Sequence, residues 1–99
     1  MLKNKNESKP KMETSVITFE ITVSFDDWAK AYDASIPFQK EAGLESLFRG
    51  VSKDDSTKCV VLVRAEPGAL DRFMEANSEM VAASGHVLES TVLTTYLTG

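Results

Sequence analysis

The chain has 99 residues, a length that holds one domain at most. Fifteen acidic residues against eleven basic ones leave a net charge of -4, and 42% hydrophobic with 26% charged residues is too apolar for a disordered chain. No apolar run exceeds the five residues Cys59 to Val63, so no segment reads as a bilayer span, and one cysteine excludes an intrachain disulfide and a cysteine-cluster metal site.

Residues 1–14 read as a flexible basic arm. Lys3, Lys5, Lys9 and Lys11 face only Glu7 and Glu13, and Leu2 alone among residues 2–11 is apolar. No hydrophobic stretch follows, which argues against a secretory signal. The body, residues 15–99, carries seven basic and thirteen acidic residues, a net charge of -6. Such a body repels phosphate backbones and anionic lipid, so neither nucleic acid nor membrane is an expected partner, and a cytoplasmic setting is expected.

Ile17, Phe19, Ile21, Val23 and Phe25 alternate with Thr18, Glu20, Thr22 and Ser24, which predicts a first strand with one buried face over 16–25. Ser24, with Asp26 and Asp27 behind it, predicts a helix start. Phe25, Trp28, Ala29, Tyr32 and Ile36 form its apolar stripe, and Pro37 is expected to end it, with one short turn to follow over 38–42 and Gly43 as the close. A second strand over 44–52, a polar turn Lys53-Asp54-Asp55-Ser56 and a third strand over 57–65 predict a hairpin. Glu66-Pro67-Gly68 opens a second helix carrying Leu70, Phe73, Met74, Asn77, Met80, Val81 and Ser84 on one face, with proline in its first turn and Gly85 as its stop. A fourth strand covers 86–97. The order is that of an α+β ferredoxin-like βαββαβ sandwich: a four-stranded antiparallel sheet with two helices on one face.

Two helices cover only one face of such a sheet. Yet Val60 to Val63, Leu47-Phe48 and Val92-Leu93 place apolar side chains on both faces. Each large side chain left in water forgoes about 1.5–3 kcal/mol of burial. A second copy of the sheet is the simplest cover, so a homodimer is expected, with Thr18, Glu20, Thr22, Phe48, Val60, Leu62 and Val92 at its interface.

Catalytic motifs are absent. There is no metal-binding spacing, no nucleophile elbow and no phosphate-cradling glycine loop, so no metal, cofactor or catalytic residue is assigned. His86, the single histidine, sits at a helix-to-strand junction. Cys59 reads as a packed thiol. Asp26-Asp27 and Asp54-Asp55 read as capping and turn residues, and Asp71, Glu75 and Glu79 as a solvated helix line. Arg49 and Arg64 fall within strands, with Glu20 or Glu89 as expected partners. Should a pocket exist between sheet and helices, Trp28, Tyr32, Arg49, Arg64 and His86 are the residues equipped to stack, hold an anion and move a proton.

The stretches VITFEITVSFDDWAKAYD, FQKEAGLESLFRGVSKDD and AEPGALDRFMEANSEMVAASGHVLESTVLTTYL resemble a group of short proteins of marine cyanobacteria. More broadly the arrangement resembles the dimeric α+β barrel superfamily, which spans cofactor-free monooxygenases, haem-degrading enzymes and stress-responsive barrels. The resemblance implies a dimer. It implies no site, because the Asn–Trp pair of the monooxygenases finds no match among Asn4, Asn6, Asn77 and Trp28. The expectation at this level is a non-enzymatic interaction or regulatory protein, stress- or nutrient-linked. The alternative is a small-ligand binder or a cofactor-free enzyme, monooxygenase-like or haem-related, using the sheet–helix pocket.

Overall fold

A computed structural model describes residues 12–98, with the side chain of residue 98 left out. The elements run β1 (Met12–Ile21), α1 (Phe25–Glu41), β2 (Glu45–Val51), β3 (Lys58–Ala65), α2 (Ala69–Ala76), α3 (Ser78–Ala83) and β4 (His86–Thr98). All pairings are antiparallel and the sheet order is β2-β3-β1-β4, the ferredoxin-like arrangement expected from the element order. Residues 12–14 thus belong to β1 rather than to the arm, whose remainder, 1–11, lies outside the described residues.

Alternation in β1 buries Ser15, Ile17, Phe19 and Ile21 under the helices. Cys59, Val61, Val63 and Ala65 of β3 bury on the same side, and Trp28, Leu70 and Phe73 close over them. The strand ends earlier than its pattern suggested. Val23 lies in the connection, and Phe25 is the first helical residue, because Ser24 caps the helix by accepting the Asp27 amide at 3.1 Å.

Pro37 does not end α1; the helix runs on to Glu41. Proline removes only the amide that would reach the Asp33 carbonyl, and that residue is exposed to water. Beyond it the chain is anchored. Gln39 is buried, and its carbonyl accepts the amides of Ala42 and of buried Leu44. Gly43, with φ 85°, makes the turn between them.

The second helix is two helices. At Asn77 both the backbone amide and Nδ2 bond the Phe73 carbonyl, at 3.0 and 2.9 Å. A side chain that competes for its own helix's carbonyl interrupts the ladder, and α3 restarts with Val81 N–H on the Asn77 carbonyl. Pro67 lies just before α2 rather than in its first turn, since Gly68 is the cap. Gly85, with φ 101°, lies so close to Val23 that an added Cβ would sit 2.6 Å from Val23 Cγ2.

On the opposite sheet face, strand register brings Thr18 beside Val60 and Val92, Val16 beside Leu62, and Leu62 beside Phe48. Phe48 and Val92 are 54% and 59% exposed. The Phe48 ring lies over Gly50, where a Cβ would meet it at 2.9 Å. Thr22 lies just past the strand end, with its amide on the Gly85 carbonyl. No helix of the described residues is long and apolar enough to cross a membrane.

Candidate functional site

Between sheet and helices lies an open-mouthed cavity of about 220 Å³. Its floor is Ile17, Phe19, Val61 and Val63 of the sheet; α1 supplies Trp28, Tyr32, Ser35 and Gln39, and α2 and α3 supply Phe73, Met74 and Met80. The helical spacing of Trp28, Tyr32, Ser35 and Gln39 puts all four on one face of α1. Apolar walls with a few converging polar atoms are what small-molecule sites are made of.

The aromatic wall is continuous. Trp28 lies 5.4 Å from Phe19, 5.7 Å from Phe25 and 5.0 Å from Tyr32, ring centre to ring centre. Phe19 stacks on His86 at 3.9 Å with the planes 5° apart. His86 is buried and its Nε2 lies 2.7 Å from Thr91 Oγ1. Thr91 reaches it because β4 carries extra residues between its pairings with Glu20 and Thr18. Ser90, in the same irregular stretch, accepts the Glu20 amide at 2.7 Å.

Burial drives the His86 pKa down from 6.5 to about 4, so the ring is neutral near pH 7. The folded value lies below the unfolded one, and unfolding therefore takes up a proton between those two pH values. Stability is full above pH 6.5 and falls as the pH drops toward 4. The loss attributable to this ring is about 3 kcal/mol. Urea midpoints at pH 7 and pH 4.5 for wild type and His86→Phe measure it. The variant is expected to flatten this part of the profile, and an unchanged difference would exclude His86 as its source.

Tyr32 reaches the site from α1 with its hydroxyl 2.6 Å from Ser46 Oγ of β2. Burial raises its pKa, so it is a neutral phenol and a hydrogen-bond donor. Ser35 Oγ donates to the Tyr32 carbonyl at 2.6 Å and accepts Gln39 Nε2 at 2.9 Å.

Three of the five expected pocket residues, Trp28, Tyr32 and His86, line this cavity. Arg49 and Arg64 do not. Arg49 pairs in bidentate fashion with Asp33 of α1 at 2.8 Å, outside the cavity, and packs over the Phe25 ring at 5.8 Å. The pairing holds the Asp33 carboxyl below its usual range. Arg64 points to the opposite sheet face and pairs with Glu45 at 2.9 Å. The partners are therefore not Glu20 or Glu89: antiparallel register sets Glu45 directly across from Arg64. Asp55 is a turn residue, accepting both the amide and hydroxyl of Thr57. Sequence reasoning passed over Ser35 and Gln39. Their signal was present, since each continues the Trp28–Tyr32 stripe, but Pro37 placed Gln39 beyond the expected helix end.

A family model described as Domain of unknown function (DUF3764) matches residues 12–98. The chain belongs to this family. No curated protein sequence matches the DUF3764 chain. Solved structures do. A Bordetella bronchiseptica protein named "putative antibiotic biosynthesis monooxygenase" superposes with a TM-score of 0.68 at 12% identity, over 90% of this chain and 98% of its own. A Caulobacter crescentus protein of the same description gives 0.67 at 16%, over 98% of both chains. SnoaB, a cofactor-independent oxygenase from Streptomyces nogalater, gives 0.56 at 10%, over 90% and 92%.

These likenesses establish the fold. They also correct the expectation of a non-enzymatic interaction or regulatory protein. The neighbouring folds are named for enzyme chemistry, which favours the alternative, a site between sheet and helices.

Proposed function

We propose that the chain is a small-molecule enzyme of the cofactor-free oxygenase type, acting on an apolar, ring-bearing substrate held in the sheet–helix cavity. The observation that carries this is the aromatic wall of Phe19, Trp28 and Tyr32 around a cavity whose two titratable groups, Tyr32 and His86, are both neutral near pH 7. A neutral aromatic box suits an uncharged ring, and its volume of about 220 Å³ suits one or two fused rings. The names of the neighbouring folds add the reaction class.

Oxygenation without a cofactor draws its electrons from the substrate. A ring CH2 and O2 become a ring C=O and water: one oxygen atom enters the product, the other leaves as water with the two hydrogens. A base with a pKa of about 4 takes a proton poorly from carbon or phenol, so His86 is a poor general base. The protein's part is to stack the ring, strip water from it and offer the Tyr32 hydroxyl to a developing enolate oxygen. The substrate must then be acidic and easily oxidised in its own right.

We further propose that the chain acts as a cytoplasmic homodimer, its open sheet face covered by a second copy. Phe48, Val60, Leu62 and Val92 on that face support this, and a buried free thiol at Cys59 suits a reducing compartment. The resemblance to proteins of marine cyanobacteria bears on the host and leaves the chemistry to the cavity.

Incubation with a panel of bicyclic enolisable ketones under ¹⁸O₂, with a chelator present, is the test. The expected product carries one labelled oxygen, formed at a rate that scales with protein. Binding without label would make the chain a binder and no oxygenase. No binding by any member would remove the cavity as the site.

A further inference from the structure

Gln39 is 5% exposed and lines the cavity, yet among the described residues its Oε1 finds no hydrogen-bond partner. The amide orientation is set by its neighbour. Ser35 has one hydroxyl proton and donates it to the Tyr32 carbonyl at 2.6 Å, so it meets Gln39 as an acceptor. Nε2 therefore faces Ser35, and Oε1 is left over. A buried carbonyl oxygen without a donor has lost its hydration with nothing in return. Folding alone offers no reason to keep it, since methionine or leucine would fill this place on a helix.

The other polar groups along α1 each have a partner within the protein. Tyr32 Oη shares a hydrogen bond with Ser46 and lies within reach of the Gln39 amide, and Ser35 Oγ donates one bond and accepts one. On the far wall His86 is engaged with Thr91. Among the described residues Gln39 Oε1 is the buried side-chain acceptor on this wall that has no partner at all. An amide oxygen accepts and cannot donate. It selects a partner bearing O–H or N–H, and it offers nothing to a ketone, ether or carboxylate. Because its own pKa is irrelevant near pH 7, this selection does not change with pH.

We propose that Gln39 is the specificity-determining residue of the cavity: its Oε1 accepts a hydrogen bond from a ligand hydroxyl, so the site takes phenols or enols in preference to the corresponding ethers. The inference rests on the reading of the cavity as a ring-binding site and names the chemical class it admits. A phenol or enol is also one proton away from the anion that passes electrons to O2 most readily, although binding selection holds whether or not a reaction follows. Ser35 is a positioning residue here, acting through the Gln39 amide.

The experiment is anaerobic calorimetric titration with 2-naphthol and with 2-methoxynaphthalene, which share the ring system and differ in the donor. Wild type is expected to prefer the naphthol by about tenfold or more. Gln39→Met, which keeps the length and removes both polar atoms, is expected to bind the two equally, while Gln39→Glu keeps an acceptor and keeps the preference. Equal wild-type affinity for the two compounds, or a preference that survives in Gln39→Met, overturns the role of Gln39 and leaves the cavity reading standing. Binding of neither overturns both. Should Gln39→Met fail to fold, the wild-type pair and Gln39→Glu still decide.

Discussion

Trp28→Ala is expected to cost about 3–5 kcal/mol of folding stability, as removal of a core tryptophan typically does. Trp28 is 2% exposed and touches three other aromatic rings, so few neighbours can relax into the space it leaves. A domain of this size has about 5–15 kcal/mol in total, so the variant should lie near the edge of folding. Urea unfolding followed by circular dichroism measures it, because the variant loses the chain's single tryptophan and with it the fluorescence signal. Both proteins need the same protomer concentration, since association adds to apparent stability. Trp28→Phe should recover most of the loss. A deficit below about 1.5 kcal/mol would mean that the aromatic wall is not the centre of the core, and the rigid box argued for the cavity would go with it.

Val92→Glu should separate the proposed dimer. In a lone subunit Val92 is 59% exposed, so a carboxylate there meets water and costs little. In a two-fold assembly the substitution appears twice, and each unpaired carboxylate loses its hydration at a penalty of several kcal/mol. Dissociation should strengthen on the order of a thousandfold or more. Sedimentation at micromolar concentration is expected to give wild type at twice the 10.9 kDa protomer and the variant at one. A wild-type chain that sediments as one protomer removes the dimer, and a variant that stays paired removes this face as its interface.

Much of the architecture was legible because local and global signals agree. The period-two run of β1, the Ser24 cap and the Gly43 and Gly85 stops all point to elements that exist. The failures share a cause. Pro37 disfavours helix locally, yet the buried Gln39 and Leu44 hold the last turn of α1, and only contacts distant in sequence reveal that. Asn77 reads as one more residue on a helical face, and it breaks the helix because its amide finds the Phe73 carbonyl. Of the candidate site, Trp28, Tyr32 and His86 were found as chemically equipped residues on plausible faces. Arg49 and Arg64 were equally equipped and are elsewhere: Arg64 alternates with buried Val63 and Ala65 and so faces the other side of the sheet, and Arg49 follows the register shift of β2 between Ser46 and Phe48.

By itself the sequence determined the element order, and with it a sheet able to hide only one of its faces. Periodicity and turn chemistry act within a few residues, and those short-range terms survive in any one-dimensional reading. Only the tertiary structure decided that a cavity exists, that His86 is buried against Phe19, and that Gln39 keeps a carbonyl oxygen without a donor. Each of these depends on burial, which belongs to no residue alone: it is set by how far the helices stand off the sheet and by which side chains fill the gap.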